Sequence, residues 1–293
     1  MGLLGLLVLW SGLVPSRAAG AALIHCRSAQ PTGLLVDFKR QPSLGVRARP
    51  TFAWIVPACS PTAADHRQTA YQIVVSTAAG GRTKPVIHWD SGRVASNAST
   101  SAEFGGAALL PGARYTWTVT TWTTSPAAPE SPACQSEPSD PALLITSLGD
   151  SVAWDASAKF LTVPGQANAT FSYFRKELSV PPGCVSASAF VTAVNQDPLL
   201  SAYKLYINGA LVNLGPGRGE APVFDGDGVF RSLPYYTLDV TDFFAPAAGM
   251  TVTVALQSMY APVRANNIAR QRLTTGDVVP LFTLFYYQSN ILQ

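Results

Sequence analysis

The amino-acid sequence predicts an all-β protein built from two successive β-sandwich domains. Three observations support this prediction: charged residues are scarce, glycine and proline are frequent, and apolar residues alternate with polar ones along much of the chain. Only 13% of the 293 residues are charged, against about 25% in an average soluble domain. The 23 glycines and 23 prolines disfavour long helices. The chain also exceeds the usual length of one domain, about 100 to 200 residues.

Residues 1–22 have the layout of a secretory signal peptide. An apolar stretch from Leu3 to Leu9 is followed by small residues, as expected for a leader and its cleavage site. We therefore expect a secreted, extracellular protein, with a short membrane anchor or a misassigned start as alternatives because the leader carries little positive charge. The sequons at Asn97 and Asn168 fit secretion, as does an oxidising environment for the 4 cysteines. No later stretch approaches the roughly 20 apolar residues of a membrane-spanning helix.

Residues 31–147 are predicted to form the first sandwich. Short runs in this region alternate apolar with polar residues, most clearly in Tyr115-Thr116-Trp117-Thr118-Val119-Thr120, and clusters of turn residues separate them. An apolar run at 143–145 predicts the last strand. The aromatic residues of these runs are interpreted as core residues: Trp54, Tyr71, Tyr115 and Trp117.

Residues 155–293 are predicted to form the second all-β domain. The alternation resumes at Phe171 and Tyr173 and continues to a run at 252–256. Asn208-Gly209 separates two strand-like runs. Asn-Gly in this position is the strongest short-range signal for a β-hairpin, because both residues tolerate positive φ.

Composition and motifs disfavour several classes of function. The formal net charge is +3 and the basic residues are scattered, so we expect no nucleic-acid partner. The glycine-rich segment 215–219 lacks the Lys-Ser/Thr of a phosphate loop. We expect neither a metal site nor another cofactor, because the histidines and cysteines are scattered without C-x-x-C spacing. These residues are His25, His66, His88, Cys26, Cys59, Cys134 and Cys184.

Asp225-Gly226-Asp227-Gly228 and four tyrosines are further candidates for ligand contacts. Closely spaced carboxylates on a turn can converge on a calcium ion, but Tyr236 stands where an EF-hand loop needs a bidentate glutamate. A solvated turn is the simpler interpretation. These tyrosines could stack on sugar rings, with core or rim packing as the alternative for each: Tyr235, Tyr236, Tyr260 and Tyr287.

A series of motifs in the first domain carries a family resemblance. They are Pro50-Thr51-Phe52-Ala53-Trp54, Gln68-Thr69-Ala70-Tyr71-Gln72-Ile73, Trp89-Asp90-Ser91-Gly92-Arg93-Val94-Ala95-Ser96, Tyr115-Thr116-Trp117 and Trp122. Their order resembles the N-terminal region of bacterial-type α-L-rhamnosidases. This resemblance implies a fibronectin type III or immunoglobulin-like β-sandwich for the first domain.

The second domain extends the resemblance. It carries Phe174-Arg175-Lys176-Glu177-Leu178, Asn208-Gly209, Gly215-Pro216-Gly217 and Tyr236-Thr237-Leu238-Asp239-Val240-Thr241. These strings are similar to the family's jelly-roll domain, which has a galactose-binding-like topology. The resemblance implies that fold here and covers the chain from Thr32 to Ala255.

Two departures from the family bear on function. The family usually has a glycine-rich segment ending in Trp-Tyr where this chain has Gln257-Ser258-Met259-Tyr260-Ala261-Pro262. The chain also stops at Gln293, and the family's α/α toroid with its catalytic acid and base would follow that point. We therefore expect an incomplete jelly roll, a missing catalytic domain as partner and no catalytic residues in this chain. An inverting glycosidase needs two carboxyl groups about 6.5 to 9.5 Å apart.

The resemblance thus implies a non-catalytic carbohydrate-recognition or structural portion of a secreted α-L-rhamnosidase-like glycoside hydrolase, inactive alone. Rhamnose-containing glycans or glycosides are the expected ligands. The candidate contacts are Arg218, Asp225, Asp227, Tyr236 and Tyr260. A free-standing secreted lectin-like or adhesive module and a structural surface protein are the alternatives, because a fold does not fix function.

The implied fold also suggests a disulfide between Cys59 and Cys134. These cysteines follow the second and sixth strands, whose loops lie at the same end of a fibronectin-like sandwich. The 4 cysteines allow three connectivities, so pairings with Cys26 or Cys184 stay open.

Overall fold

The computed structural model describes residues 27–58, 66–78, 84–125, 133–149, 161, 171–194, 202–215, 235–259 and 279–288. The predicted leader, residues 1–22, lies outside these ranges, as do residues 150–160 and 162–170 between the two predicted domains. Regular structure in the described residues is almost entirely β-strand. This confirms the predicted all-β fold class.

The first sandwich consists of short strands and two long ones. They are β1 (Arg27–Ser28), β2 (Thr32–Val36), β3 (Lys39–Arg40), β4 (Ser43–Val46), β5 (Thr51–Ile55), β6 (Arg67–Thr77), β7 (Ile87–Asp90), β8 (Ala102–Glu103), β9 (Arg114–Thr124), β10 (Cys134–Ser136) and β11 (Ala142–Thr146). In the larger sheet β9 pairs antiparallel with β6 on one side, and with β10 and then β11 on the other. The parallel strands β1 and β4 extend this sheet beyond β10 and β11. The smaller sheet has the order β3-β2-β5-β8.

Aromatic rings fill the core between these two sheets. Trp54, Tyr71, Tyr115 and Trp117 are all buried, which confirms their interpretation as core residues. Trp54 packs edge-on against Tyr71 with ring centres 5.2 Å apart. Its indole N–H donates to Oε1 of Gln68 at 2.9 Å, so the polar end of this buried ring has a partner. The alternation of the sequence correctly placed these rings on the inner faces of β5, β6 and β9.

The second sandwich consists of two antiparallel sheets and one short helical segment. Its elements are β12 (Phe171–Ser179), β13 (Cys184–Val194), β14 (Ala202–Ile207), β15 (Ala210–Gly215), β16 (Tyr236–Asp239), α1 (Thr241–Phe244), a 3₁₀ turn (Ala245–Ala247), β17 (Thr251–Met259) and β18 (Val279–Gln288). One sheet has the order β12-β17-β14-β15 and the other the order β16-β13-β18. Apolar residues of β13, β14 and β17 form the core, together with Phe244 of α1.

The hairpin predicted at Asn208-Gly209 is confirmed. These residues connect β14 to β15 with φ values of 48° and 82°, and two successive positive φ values are what a tight type I′ hairpin turn requires. The side-chain carbonyl of Asn208 also accepts the backbone N–H of Thr253 at 2.9 Å. The turn is therefore attached to β17 as well as to its own two strands.

Strand β12 buries one set of alternate residues and exposes the other. Phe174 and Leu178 pack on the core, whereas Phe171 and Tyr173 are 53% and 71% exposed. Pairing continues from β12 through β17 to β14 and β15. The side of this sheet that faces away from the core is called the outer face. It carries exposed apolar and aromatic side chains: Phe171, Tyr173, Leu211 and Leu214.

Candidate functional site

A cavity of about 370 Å³ lies where β4 of the first sandwich meets β16 of the second. Small-molecule pockets typically have volumes of about 300 to 1,000 Å³. We call this space the interdomain cavity. Four parts of the chain line it, with these residues: Lys39, Leu44, Gly45, Ser147, Tyr235, Tyr236, Thr237 and Leu238.

A glycine in β4 allows the two sandwiches to approach closely. Gly45 has a φ of +64°, a left-handed conformation that other residues adopt at a cost in free energy. A Cβ atom on this residue would lie 3.3 Å from Oγ1 of Thr237 and 3.6 Å from Nζ of Lys39. At Gly45 the cavity wall therefore consists of backbone atoms, and Oγ1 of Thr237 and Nζ of Lys39 lie close to them.

An ion pair between the sandwiches holds the cavity walls in place. The guanidinium of Arg114, at the start of β9, donates to both carboxylate oxygens of Asp239 at 3.0 and 3.1 Å. It also donates to Oγ of Ser188 at 3.1 Å. The side chain of Arg114 is only 7% exposed, so solvent and salt screen the pair weakly. Two parallel hydrogen bonds restrict direction as well as distance, so they fix how β9 and β16 face each other.

Asp239 is held in its ionised form. Burial raises the pKa of Asp239, but hydrogen bonds from Arg114 and Thr241 and the positive charge of Arg114 outweigh burial and bring the pKa below the ordinary value of 3.8. The hydroxyl of Thr241 supplies the shortest of these bonds, at 2.6 Å. A catalytic acid needs the opposite shift. Asp239 is therefore a structural hydrogen-bond acceptor.

Apolar packing continues the interface beside the ion pair. Ile145 and Leu148 of the first sandwich pack with Phe190 of the second, and Tyr235 lies at the edge of this cluster. The hydroxyl of Tyr235 accepts the backbone N–H of Leu148 at 2.7 Å. A tyrosine that lines the cavity is therefore hydrogen-bonded to the opposite sandwich, which keeps its ring in one position.

Lys39 gives the exposed side of the cavity a positive charge. Its ammonium donates to the backbone carbonyls of Leu44 and Gly45 at 2.8 and 2.6 Å. An ammonium has three donors, so one remains after these two contacts. Burial lowers the pKa of Lys39, and the nearby carboxylate of Asp37 partly opposes this shift. The carboxylate of Asp37 is itself bound by Arg47 at 2.8 Å.

Thr237 has a buried hydroxyl without a partner. The residue is 7% exposed, and its Oγ1 makes no hydrogen bond to any described residue. Leaving a buried hydroxyl unpaired costs about 1 to 3 kcal/mol.

Tyr236 is a predicted carbohydrate contact that does line the cavity. Its ring packs against Gly215, where a Cβ atom would come within 2.6 Å of ring carbon Cε2. Beside it, Tyr203 donates its hydroxyl to Oδ1 of Asn213 at 2.7 Å. Burial raises the pKa of Tyr203, and Tyr236 adds to this effect. Close packing on the backbone thus positions the ring of Tyr236.

The other predicted carbohydrate contacts lie outside the described residues and remain predictions: Arg218, Asp225, Asp227 and Tyr260. Cys59 and the sequon at Asn168 also lie outside them. Cys134 is disulfide-bonded, but its partner lies outside the described residues. Cys184 is a buried free cysteine.

Asn97 is exposed in the loop before β8. The loop around it is ordered by Gln68, whose amide donates to the carbonyls of Ser96 and Ala98 at 3.2 and 2.8 Å. The sequon at Asn97 is therefore accessible in the folded protein. Its glycosylation remains a prediction.

Sequence reasoning missed most of the interdomain cavity. Lys39 and Thr237 are far apart in the chain, and neither lies in a recognisable ligand-binding motif. One signal was present, because the string Tyr236-Thr237-Leu238-Asp239-Val240-Thr241 was already part of the family resemblance. It contributes both to the cavity and to the ion pair with Arg114. The resemblance places this string in the second domain, but the sequence does not indicate its contacts with the first sandwich.

The described lining of the cavity lacks both carboxylates and metal ligands. None of the described residues that line it is a carboxylate. In the described part of the chain, no group of three or more His, Cys, Asp or Glu side chains could hold a metal ion. No helix in that part is long and apolar enough to cross a membrane.

Fold and site together define a pair of β-sandwich modules with a cavity at their interface. Residues 31–137 match the family model described as the Rha78A-like, N-terminal immunoglobulin domain. This match covers most of the first sandwich and agrees with the immunoglobulin-like fold that the sequence predicts for it.

Two curated relatives that match about 60% of this chain are α-L-rhamnosidases. The one from Streptomyces avermitilis is 28% identical over an alignment of 201 residues, and the match covers 60% of this chain and 18% of the relative. The one from Alteromonas sp. (strain LOR) is 29% identical over an alignment of 188 residues, and the match covers 61% of this chain and 19% of the relative. The chain thus spans about a fifth of the length of these curated relatives.

Solved structures of similar fold carry the same name. The α-L-rhamnosidase from Dictyoglumus thermophilum superposes with a TM-score of 0.60 at 19% identity, over 89% of this chain and 28% of that chain. The enzyme from Aspergillus terreus gives a TM-score of 0.55 at 20% identity, over the same 89% and 28%. At these identities the likeness shows the fold. The predicted resemblance to the N-terminal region of α-L-rhamnosidases is confirmed.

Proposed function

We propose that this chain is a non-catalytic carbohydrate-recognition portion of a secreted α-L-rhamnosidase-like glycoside hydrolase. The observation that carries the proposal is the interdomain cavity, which has the volume of a small-molecule pocket and no carboxylate among its described lining residues. The family match to an N-terminal domain supports a role beside a catalytic domain. The names of the relatives suggest rhamnose-containing glycans or glycosides as ligands.

The chemistry of the cavity lining fits a sugar. Tyr235 and Tyr236 supply apolar ring surface for the C–H groups of a pyranose. Ser147 supplies a hydroxyl group, which can both donate to and accept from sugar hydroxyls. Lys39 supplies a further donor. A few polar groups among apolar walls are the usual composition of a small-ligand pocket.

Ligand-observed NMR with L-rhamnose and rhamnosides tests the proposal. We expect weak binding, with dissociation constants of about 1 µM to 1 mM, and a loss of affinity in Tyr236→Ala. Tyr173→Ala is the matched control, because Tyr173 is a tyrosine on the outer face, away from the cavity. Absence of saccharide binding, or equal loss in both variants, would contradict recognition in the cavity.

Secretion is part of the same proposal. It is supported by the leader-like residues 1–22 and by the exposed sequon at Asn97. Expression of the chain with its own N-terminus in eukaryotic cells should deliver it to the medium with an N-glycan at Asn97. Glycosidase treatment should shift the electrophoretic mobility of the wild type more than that of Asn97→Gln. Retention of an unglycosylated chain inside the cells would count against secretion.

A second candidate function is a free-standing adhesive module. One observation favours it: the outer face exposes Phe171, Tyr173, Leu211 and Leu214, and apolar patches on a surface often mark interaction sites. In that case, replacing Leu211 and Leu214 by serine should abolish attachment to a glycan-coated surface, and Tyr236→Ala should not. The reverse result favours recognition through the interdomain cavity.

A further inference from the structure

We propose that the first sandwich attaches to an anionic lipid surface through the turn between β2 and β3, with the ring of Phe38 in the headgroup region and the basic residues beside it at the phosphates. This inference does not depend on the proposed carbohydrate recognition. It adds a second binding surface to the chain.

The turn between β2 and β3 holds a bulky residue in an unfavourable backbone conformation. Asp37 and Phe38 have φ values of 48° and 58°, and Val36 pairs with Lys39 on either side of them. Two successive positive φ values are typical of a type I′ turn, in which Asn-Gly and Asp-Gly are the preferred pairs. Phe38 therefore stands where glycine is preferred, and its side chain makes the left-handed conformation a strained one.

Packing within the protein does not compensate for this strain. Phe38 lies at the apex of the hairpin and is 73% exposed. The turn is held from below by Asp37, whose carboxylate accepts from the guanidinium of Arg47 at 2.8 Å and from the backbone N–H of Thr51 at 3.0 Å. Strained residues that the surrounding structure holds in place are frequent at binding sites. The fold thus fixes the turn and presents the ring of Phe38 to the outside.

Basic side chains lie beside the ring. The segment that connects β4 to β5 runs next to the turn, because the backbone N–H of Arg47 donates to Oδ2 of Asp37 at 3.1 Å. Lys39, Arg47 and Arg49 are all exposed. Burial lowers the pKa of Lys39, the carboxylate of Asp37 opposes this shift, and the charge of Arg47 adds to it. Lys39 and Arg47 are therefore close enough to repel each other, and an anionic surface would relieve that repulsion.

A second exposed apolar side chain lies next to the same segment. Leu110 is 65% exposed, and the backbone N–H of its neighbour Leu109 donates to the carbonyl of Ala48 at 2.9 Å. The guanidinium of Arg49 donates to the carbonyl of Gly106, in the same loop, at 3.3 Å. These contacts gather the turn, the connecting segment and the loop into one surface. We call it the Phe38 surface: Phe38, Lys39, Arg47, Arg49 and Leu110.

The chemistry of the Phe38 surface fits a membrane interface. Apolar side chains enter the boundary between headgroups and acyl chains, while lysine and arginine keep their charges at the phosphates. Each basic residue near an anionic membrane strengthens binding about fivefold. A lipid surface also needs no pocket for the ring, and Phe38 lies at the apex of a hairpin. Charge and shape therefore both favour an anionic lipid surface as the partner.

Co-sedimentation of the full chain with vesicles tests this inference. Phosphatidylcholine vesicles that contain about 30% phosphatidylserine are compared with vesicles of pure phosphatidylcholine. We expect at least tenfold tighter binding to the anionic vesicles. The preference should shrink as sodium chloride is added, because salt screens the attraction between exposed charges.

Matched variants assign the binding to the Phe38 surface. Phe38→Ala should weaken binding to the anionic vesicles about tenfold, because the ring no longer enters the interface. Phe171→Ala is its control, since Phe171 is an exposed phenylalanine on the outer face. Arg49→Gln should weaken binding about fivefold. Lys204→Gln removes the same charge from an exposed residue of β14 and should leave binding unchanged. Circular dichroism checks that each variant folds.

Phe38→Gly separates a binding role of the ring from a structural one. Glycine suits the left-handed position, so this variant should unfold at a higher temperature than the wild type and still lose binding to the anionic vesicles. A lower unfolding temperature would show that the ring supports the fold, and the inference would be wrong.

The remaining outcomes are equally decisive. The inference fails if neither kind of vesicle binds, if both bind equally, or if folded Phe38→Ala binds as the wild type does. It also fails if Phe171→Ala or Lys204→Gln reduces binding as much as its partner variant. If soluble poly-glutamate binds as tightly as the anionic vesicles, and Phe38→Ala does not weaken it, the partner is an acidic polymer and not a lipid surface. None of these results bears on saccharide binding in the interdomain cavity.

Discussion

Arg114 and Asp239 join the two sandwiches, although they are 125 residues apart in the chain. A buried ion pair contributes little net stability, because removing both charges from water costs about as much free energy as their attraction returns. The role of this pair is geometric. Its two parallel hydrogen bonds, with Ser188 and Thr241 as further partners, permit one relative orientation of β9 and β16. The shape of the interdomain cavity depends on that orientation.

Removing one member of this pair should destabilise the protein strongly. Asp239→Asn leaves the guanidinium of Arg114 buried without a counter-charge, and we expect a loss of about 2 to 4 kcal/mol in the free energy of unfolding at pH 7. Glu177→Gln is the matched control: Glu177 pairs with Arg175 at the same 3.0 Å, but both side chains are more than 60% exposed. That exposed pair should contribute less than about 1 kcal/mol. Urea denaturation measures both, and equal losses would contradict the structural role of Asp239.

Asp239→Asn should also reveal how the stabilisation by the Arg114–Asp239 ion pair depends on pH. The pKa of Asp239 in the folded protein lies below its ordinary value of 3.8 because hydrogen bonds and the charge of Arg114 outweigh burial. The ion pair therefore stabilises the protein fully above that value and loses its contribution as the pH falls through the lowered pKa. The difference between wild type and Asp239→Asn should shrink as the pH is taken below 3.8. A difference independent of pH would exclude this linkage.

Gly45 should be more sensitive to substitution than a glycine with the same backbone conformation elsewhere. Gly45 and Gly92 have φ values of +64° and +59°, but a Cβ atom on Gly92 would meet nothing within 4 Å. Gly92→Ala should lower the free energy of unfolding by about 1 kcal/mol, because alanine is strained in the left-handed backbone conformation. Gly45→Ala should cost more, because its Cβ would press on Thr237, and it should also weaken ligand binding in the cavity. Thermal unfolding and NMR titration measure the two effects, and equal costs would show that the contact with Thr237 is unimportant.

Single residues were predictable where their role is local. Trp54 and Trp117 were identified as core because they occupy alternate positions of a strand, and Asn208-Gly209 as a turn because few residues tolerate its backbone angles. Lys39 and Thr237 were not predictable. They line the cavity only because β4 and β16 are in contact, and no periodicity or short motif in the sequence predicts that contact.

At the scale of elements, alternation predicts a strand more reliably than it predicts which face is buried. In β12 the sequence Phe171-Ser172-Tyr173-Phe174 places aromatic residues on both faces. Pairing with β17 decides the outcome, because Phe174 lies opposite Leu256 of the core and Tyr173 lies opposite Gln257 of the outer face. A shift of one residue would reverse both faces. The strand was therefore predictable, whereas its exposed aromatic residues required knowledge of the register.

The disulfide prediction also belongs to this scale. Cys134, the first residue of β10, is disulfide-bonded, and Cys184 is a free buried cysteine. The prediction is a bond from Cys134 to Cys59, to be checked by mapping unreduced peptides. The competing outcome is a bond to Cys26, which precedes Arg27 of β1, and Arg27 pairs with Gln135 in parallel register. A peptide that joins Cys134 to Cys26 would contradict the prediction.

At the scale of the whole molecule, the two sandwiches are joined by an extensive set of contacts. The ion pair, the cluster around Phe190 and the bond from Leu148 to Tyr235 are all contacts between them. Each sandwich alone would lose half of the cavity wall. The two-domain architecture was predictable from length, composition and motif order. The interface was not, because it depends on contacts between residues distant in sequence.

The last prediction is that the purified chain does not hydrolyse an aryl α-L-rhamnoside. Inverting hydrolysis requires two carboxyl groups about 6.5 to 9.5 Å apart across a sugar, one with a raised pKa. The interdomain cavity meets neither condition in its described residues, since none of those that line it is a carboxylate. Asp239, the last residue of β16, has a lowered pKa and is bound by Arg114.

The assay should use a full-length α-L-rhamnosidase as positive control, so that a negative result reflects the chain and not the conditions. Binding of the same rhamnoside, measured in parallel, shows whether recognition is present without turnover. Asp225 and Asp227 lie outside the described residues and are the carboxylates to replace if hydrolysis is observed. Turnover by the wild-type chain that disappears in Asp225→Asn or Asp227→Asn would overturn the non-catalytic assignment, because it would identify a catalytic carboxylate within these 293 residues.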